Sequence, residues 1–180
     1  MQVILSNVKV VQKKCIKPYT PANDTVGPYL GKGNTNIWGQ RLASTIEKIM
    51  HYELDTIFNE YDRSAQLEYP GGITTRSFKG ADSFWTGLRS SFPHAKFKVH
   101  HVIGRDDKNM PPRAAVRWSL HGKHDGFGAF SEPTGAEVFV LGITHAEYGE
   151  LIQGEPKIRR EWTLFDEVSI WKQILMYKKY

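Results

Sequence analysis

The segment Glu137–His145 places apolar side chains on both of its alternating faces. Val138, Val140, Gly142 and Thr144 fall on one side, and Phe139, Leu141, Ile143 and His145 on the other. A strand with one face in water needs only one apolar set, so this one belongs to a sheet that is covered twice. The chain's own helices supply one cover; a partner subunit or a dry pocket supplies the other. The preceding strand pattern, Ala114–His121, points Ala114, Val116, Trp118 and Leu120 one way and Ala115, Arg117, Ser119 and His121 the other. His121 therefore shares its face with Arg117 and Ser119, either as the polar row of a pocket or as a row facing solvent.

The surrounding elements read in a consistent order. Asn36 is a suitable N-cap, and Trp38, Leu42, Ile46, Ile49, Met50, Leu54, Ile57, Phe58 and Tyr61 recur at three- and four-residue spacing. That pattern predicts a core-facing helix with a kink or break near His51. Ala65–Tyr69, the turn Pro70-Gly71-Gly72 and Ile73–Phe78 read as a hairpin. A second helix is expected from about Gly80 to Ser91, stopped by Phe92-Pro93. Strands follow at Lys96–Gly104, Ala114–His121, Glu137–His145 and Lys157–Leu164, and a last helix starts at Asp166. A glycine-rich stretch, His124 to Gly135, links the middle pair. Helices, then a meander of long strands, then a short helix make an α+β chain.

Composition narrows the function classes. The 180 residues suit one domain, and aromatic content of 12% with five Trp fits either a cavity wall or a large core. The net charge of +5 gathers partly at the ends, in Lys13, Lys14, Lys17, Lys178 and Lys179, which reads as solvated tails. No nucleic-acid partner is expected. Cys15 is the only cysteine, so an internal disulfide and a thiolate metal cluster are excluded. His121 and His124 suggest a metal only briefly, because no third ligand is placed by spacing. Gly31-Lys32-Gly33-Asn34 lacks phosphate-loop spacing. Lys9, Lys13 and Lys14 interrupt the first apolar residues, and no run reaches membrane-spanning length; the expectations are no membrane and a cytoplasmic location.

Several short pieces occur in a recognisable order. They are Ile37-Trp38, Tyr69-Pro70-Gly71-Gly72, Gly80, Phe92-Pro93, Val116-Arg117-Trp118, Gly122 to Gly126, Pro133-Thr134-Gly135, Thr144-His145, Glu161-Trp162, Asp166 and Gln173-Ile174. Over residues 37–175 the chain resembles the SnoaL-like polyketide cyclases of the nuclear transport factor 2-like superfamily. The resemblance implies a cystatin-like, cone-shaped roll: a strongly bent antiparallel sheet with helices over its concave face. It divides the chain into residues 1–36, an N-terminal arm or loop outside the resemblance, and a SnoaL-like domain at 37–180. Two departures stand out. Glu68 occupies a position where many relatives carry a His before the hairpin proline, and Glu147–Gly154 is an insertion.

The resemblance also implies chemistry: a cofactor-free polyketide ester cyclase, performing an intramolecular aldol-type cyclisation or isomerisation of an enolisable carbonyl compound. Asp166 matches the family's catalytic acid/base and His145 a cavity histidine beside it. Asp166 also stands where a helix N-cap is expected, and capping alone would keep it ionised. Glu161 is a fallback acid/base whose side chain is expected to face outward. Trp85, Arg117, His121, Phe130, Trp162 and Glu68 are the candidate substrate-binding residues; no metal or cofactor is expected. The expected partners are a hydrophobic or aromatic small molecule and a second copy of the chain. A noncatalytic small-molecule binder and a dimeric interaction module are the alternatives.

Overall fold

The computed structural model describes residues 32–149 and 155–177. Helix α1 (Ile37–Met50) starts where Asn36 Oδ1 accepts the Trp38 backbone N–H at 3.0 Å. Its buried stripe is Leu42, Ala43, Ile46, Ile49 and Met50. The break expected near His51 is present: Tyr52 takes a left-handed φ of 68°, and the chain restarts as α2 (Asp55–Glu60). Strand β1 (Tyr61–Tyr69), a turn of 3-10 helix at Pro70–Gly72 and β2 (Ile73–Arg76) form the hairpin. Gly71 and Gly72, at φ of 78° and 74°, supply the left-handed backbone this turn demands. Helix α3 (Ser77–Ser91) follows at once, three residues earlier than the glycine signal suggested.

The remaining elements are β3 (Lys96–Arg105), β4 (Arg113–Lys123), β5 (Glu137–Tyr148), β6 (Ile158–Phe165) and α4 (Glu167–Tyr177). Together they make an α+β fold with one six-stranded sheet in the order β2-β1-β6-β5-β4-β3. The sheet is mixed where a wholly antiparallel one was expected. The pair β1–β6 is parallel and every other neighbouring pair is antiparallel. The physical reason is connectivity. Hairpins force antiparallel neighbours, but β1 and β6 are joined through α3 and four intervening strands, so no tight turn sets their relative direction.

Helices α1 and α3 pack on one face of the sheet, here termed inner. Into it project Leu67, Val116, Trp118, Leu120, Val138, Val140 and Ile158, all buried. Gly142 lies opposite Trp118 across β4 and β5, and a Cβ there would run into the indole. The ring can lie flat along the sheet only because this position has no side chain. The glycine-rich connection between β4 and β5 folds back over α3: Ala129 N–H donates to Gly87 O at 2.9 Å and Phe130 N–H to Ser91 Oγ at 3.1 Å. His124 anchors it, with its carbonyl accepting from the Thr134 and Gly135 N–H groups at 3.0 and 2.9 Å.

Of the N-terminal arm, only residues 32–36 fall among the described residues. They run beside β3, where Asn34 N–H donates to Val102 O and Val102 N–H to Lys32 O, both at 2.9 Å. Residues 1–31, Cys15 among them, and most of the expected Glu147–Gly154 insertion lie outside the described residues.

Candidate functional site

A cavity of about 340 Å³ opens between α3, the hairpin turn and the end of β6. Helix α3 makes room for it. Gly80, Ser83 and Gly87 recur at three- and four-residue spacing along one helical face, so small side chains line that side. Aromatic rings line the rest. Tyr69 at the end of β1 stacks on Phe84 with centroids 3.6 Å apart and planes 5° apart, and Phe84 stacks more loosely on Phe165 at 6.1 Å. Phe130, carried in by the β4–β5 connection, closes the wall beside Leu88, and Glu167 from the first turn of α4 adds a carboxylate at the rim.

Behind Tyr69 sits a carboxyl group. Glu161 projects from β6 into the inner layer with no solvent exposure. Its Oε1 accepts from Thr163 Oγ1 at 2.7 Å, and its Oε2 accepts from the Tyr69 phenol at 3.5 Å. Tyr61, also on β1, hydrogen-bonds to the same carboxyl. Two indoles orient these hydroxyls. Trp118 Nε1–H donates to Thr144 Oγ1 at 3.0 Å, and Thr144 lies 2.9 Å from Thr163 Oγ1. Trp85 Nε1–H donates to the Tyr61 phenol at 3.0 Å. An indole N–H can only donate, so each hydroxyl that accepts from one is left to pass its own proton onward. Both chains therefore end as donors on Glu161.

This arrangement sets two opposed effects on one group. Burial disfavours the carboxylate, whereas the converging hydroxyls favour it. Burial prevails, and Glu161 is pushed up to about 7. The same burial, with the neighbouring carboxylate, raises the Tyr61 and Tyr69 phenols well above their ordinary values. A carboxyl that gains or loses its proton near neutrality beside a phenol is suited to acid/base chemistry.

The residues anticipated from sequence divide between the two sheet faces. Phe130 lines the cavity, and Trp85 lies in the inner layer, fully buried. Asp166 is exposed and caps α4, its Oδ1 accepting from Ser169 N–H at 2.9 Å; its chain neighbours Phe165 and Glu167 both line the cavity. The other five project outward. His145 was expected inside beside Asp166; instead it stacks on Trp162 on the outer face, and burial lowers the pKa of its imidazole. Glu68 is exposed next to Trp162 in the β1–β6 register, and Arg117 is exposed opposite Ile143. His121 is half-buried with its ring edge against Phe139. These positions have the wrong strand parity to reach the cavity. Glu161 is the reverse case, expected outward and found inward. Among the described residues, no group of three or more His, Cys, Asp or Glu is arranged to hold a metal ion. No helix of the described residues is long and apolar enough to cross a membrane.

No protein-family model and no curated protein sequence matches this chain. Solved structures do. IdmH, a proposed polyketide cyclase from Streptomyces antibioticus, superposes with a TM-score of 0.60 at 19% identity, over 77% of this chain and 98% of its own. A proposed SnoaL-like polyketide cyclase from Jannaschia sp. CCS1 gives 0.59 at 14% identity, over 78% and 96%. AclR, a proposed hydroxylase from Streptomyces galilaeus, gives 0.57 at 15% identity, over 79% and 83%. The fold is thus that of the SnoaL-like proteins, as the sequence resemblance implied.

Proposed function

We propose, starting from a chain with the SnoaL-like fold, that this protein binds a planar, largely apolar carbonyl compound in the α3 cavity and moves protons on it without a cofactor. The observation that carries this reading is the cavity itself: stacked aromatic rings form its wall, and one of them, Tyr69, is hydrogen-bonded to a buried carboxyl. Rings stacked in parallel favour a flat ligand that extends the stack, and about 340 Å³ accommodates two or three fused rings. Carboxyl groups near the cavity supply proton donors and acceptors: Glu167 on the rim, Asp166 beside it and Glu161 behind Tyr69. Polyketide-type substrates, which are flat and enolisable, belong to this class. The link to cyclisation rests on likeness of fold, and one fold hosts many activities.

The test uses 2-tetralone, a bicyclic enolisable ketone, as probe. Saturable chemical-shift changes confined to residues around Phe84, Phe130 and Phe165 are expected in an amide NMR titration. Phe84→Ala should abolish them. Shifts scattered over the surface, or none at millimolar probe, would overturn the reading.

A second copy of the chain is the partner that the outer face fits. Ile103, Leu141, Ile143 and Leu164 are all about half exposed or more there, around the His145–Trp162 stack. Arg117 and Arg160 flank this apolar centre together with Glu68 and Glu147, so both signs of charge are present on one patch. A two-fold interface needs a patch that is its own complement, and this one offers it.

A further inference from the structure

We propose that Tyr69 is the group that exchanges protons with the bound compound, and that Glu161 is the positioning residue that takes and returns the phenol's proton. This inference rests on the cavity reading above and assigns its chemistry to particular atoms.

Position selects Tyr69. Tyr69 lines the cavity and its hydroxyl donates to Glu161 Oε2, so one side chain touches both the cavity and the buried carboxyl. Glu161 itself has no solvent exposure and is not among the cavity-lining residues, so it reaches a ligand only through Tyr69. The hydrogen-bond directions then define a proton route. The phenol's hydrogen points to Glu161 Oε2, which leaves the phenol oxygen's lone pairs free to accept. The 3.5 Å separation is at the long limit for such a bond, and catalytic contacts of this kind commonly tighten when ligand is bound. The remaining donors, Thr163 and Tyr61, hold the carboxylate in place and are themselves set by Trp118 and Trp85.

The step balances without any further reagent. A C–H bond beside the substrate carbonyl breaks and its proton passes to the Tyr69 oxygen. The phenol's own proton moves to Glu161, and the electron pair stays on the substrate as an enolate. Reversal returns a proton to the same carbon, to another carbon, or to an alkoxide formed after attack on a second carbonyl. Asp166 is a poorer candidate for this role, because its Oδ1 is engaged by the Ser169 N–H and its side chain is exposed.

The titratable groups facing Glu161 are Tyr61 and Tyr69 from β1 and Tyr148 from β5. All three are phenols whose pKa values burial raises, so Glu161 is the group among them that ionises near neutrality.

The experiment measures deuterium uptake by 2-tetralone in D₂O, by NMR, with binding followed separately by amide shifts. Wild type should accelerate exchange over buffer, with a rate that rises as pH passes through about 7. Tyr69→Phe should bind the probe with unchanged affinity and lose at least tenfold of the protein-dependent exchange rate. Glu161→Gln should bind equally and lose the rise near neutrality. Thr163→Val, which removes one donor to the carboxylate, should move the rise to higher pH and serves if Glu161→Gln fails to fold. Binding without accelerated exchange, or exchange that survives Tyr69→Phe, overturns this inference and leaves the cavity reading standing. Absence of binding by wild type overturns the cavity reading and this inference with it.

Discussion

His145 lies nearly flat on Trp162, with ring centroids 5.2 Å apart and planes 18° apart, on the sheet face turned away from the helices. The two residues are cross-strand partners on β5 and β6, and the exposed Ile143 and Leu164 form the neighbouring pair. An aromatic pair of this kind at the middle of an apolar patch is suited to the centre of an interface. Light scattering is expected to give twice the chain mass of 20.6 kDa at micromolar concentration. Leu164→Arg, whose side chain is 67% exposed in the single chain, should yield the single-chain mass without unfolding it. A wild-type mass of one chain across that range would count against the interface.

Glu161 makes stability depend on pH in a defined direction. Its folded pKa of about 7 lies above the reference value of 4.5, so between these values the folded state holds more proton than the unfolded chain. Stability from this group is therefore complete below about pH 4.5 and declines as pH rises through about 7. The full span corresponds to roughly 3 kcal/mol. Denaturant unfolding of wild type and Glu161→Gln across pH 5 to 8 isolates the effect, because the histidines titrate in both proteins. A difference between the two that does not change with pH would contradict a raised Glu161.

Asp166 as a cap carries its own expectation. Asp166→Ala should cost about 0.5–2 kcal/mol of stability, while Asp166→Asn, which retains an oxygen acceptor, should cost a few tenths. Chemical denaturation at pH 7 distinguishes them. Equal losses for both would show that charge, and not the hydrogen bond to Ser169, dominates at this helix end.

Gly142→Ala should destabilise the fold by roughly 1–3 kcal/mol, because the new methyl meets the Trp118 indole in a filled layer. The shift should also appear in the tryptophan near-ultraviolet circular dichroism. An unperturbed spectrum with unchanged stability would mean that the ring has room to move.

Asn36, the helical spacing from Trp38 onward, the Pro70-Gly71-Gly72 turn and the apolar alternation of Glu137–His145 are local signals. By themselves they determined the kind and order of the elements and the break near His51. They act within a few residues, through capping, backbone freedom and side-chain period, so no distant contact is needed to express them. The direction of β6 relative to β1, and the face each β6 side chain takes, were decided only in the tertiary structure. In Ile158–Phe165 one alternating set is Ile158, Arg160, Trp162 and Leu164 and the other is Arg159, Glu161, Thr163 and Phe165. The first is the more apolar and looks like the buried set. Most of it instead faces out, because an irregularity between Glu147 and Tyr148 buries Ile158 out of step with the residues that follow. A strand repeats every two residues, so a one-residue slip exchanges its faces completely. That slip, together with donors from β1, β5 and α3 that meet at one point, is what turned Glu161 inward and left His145 outside.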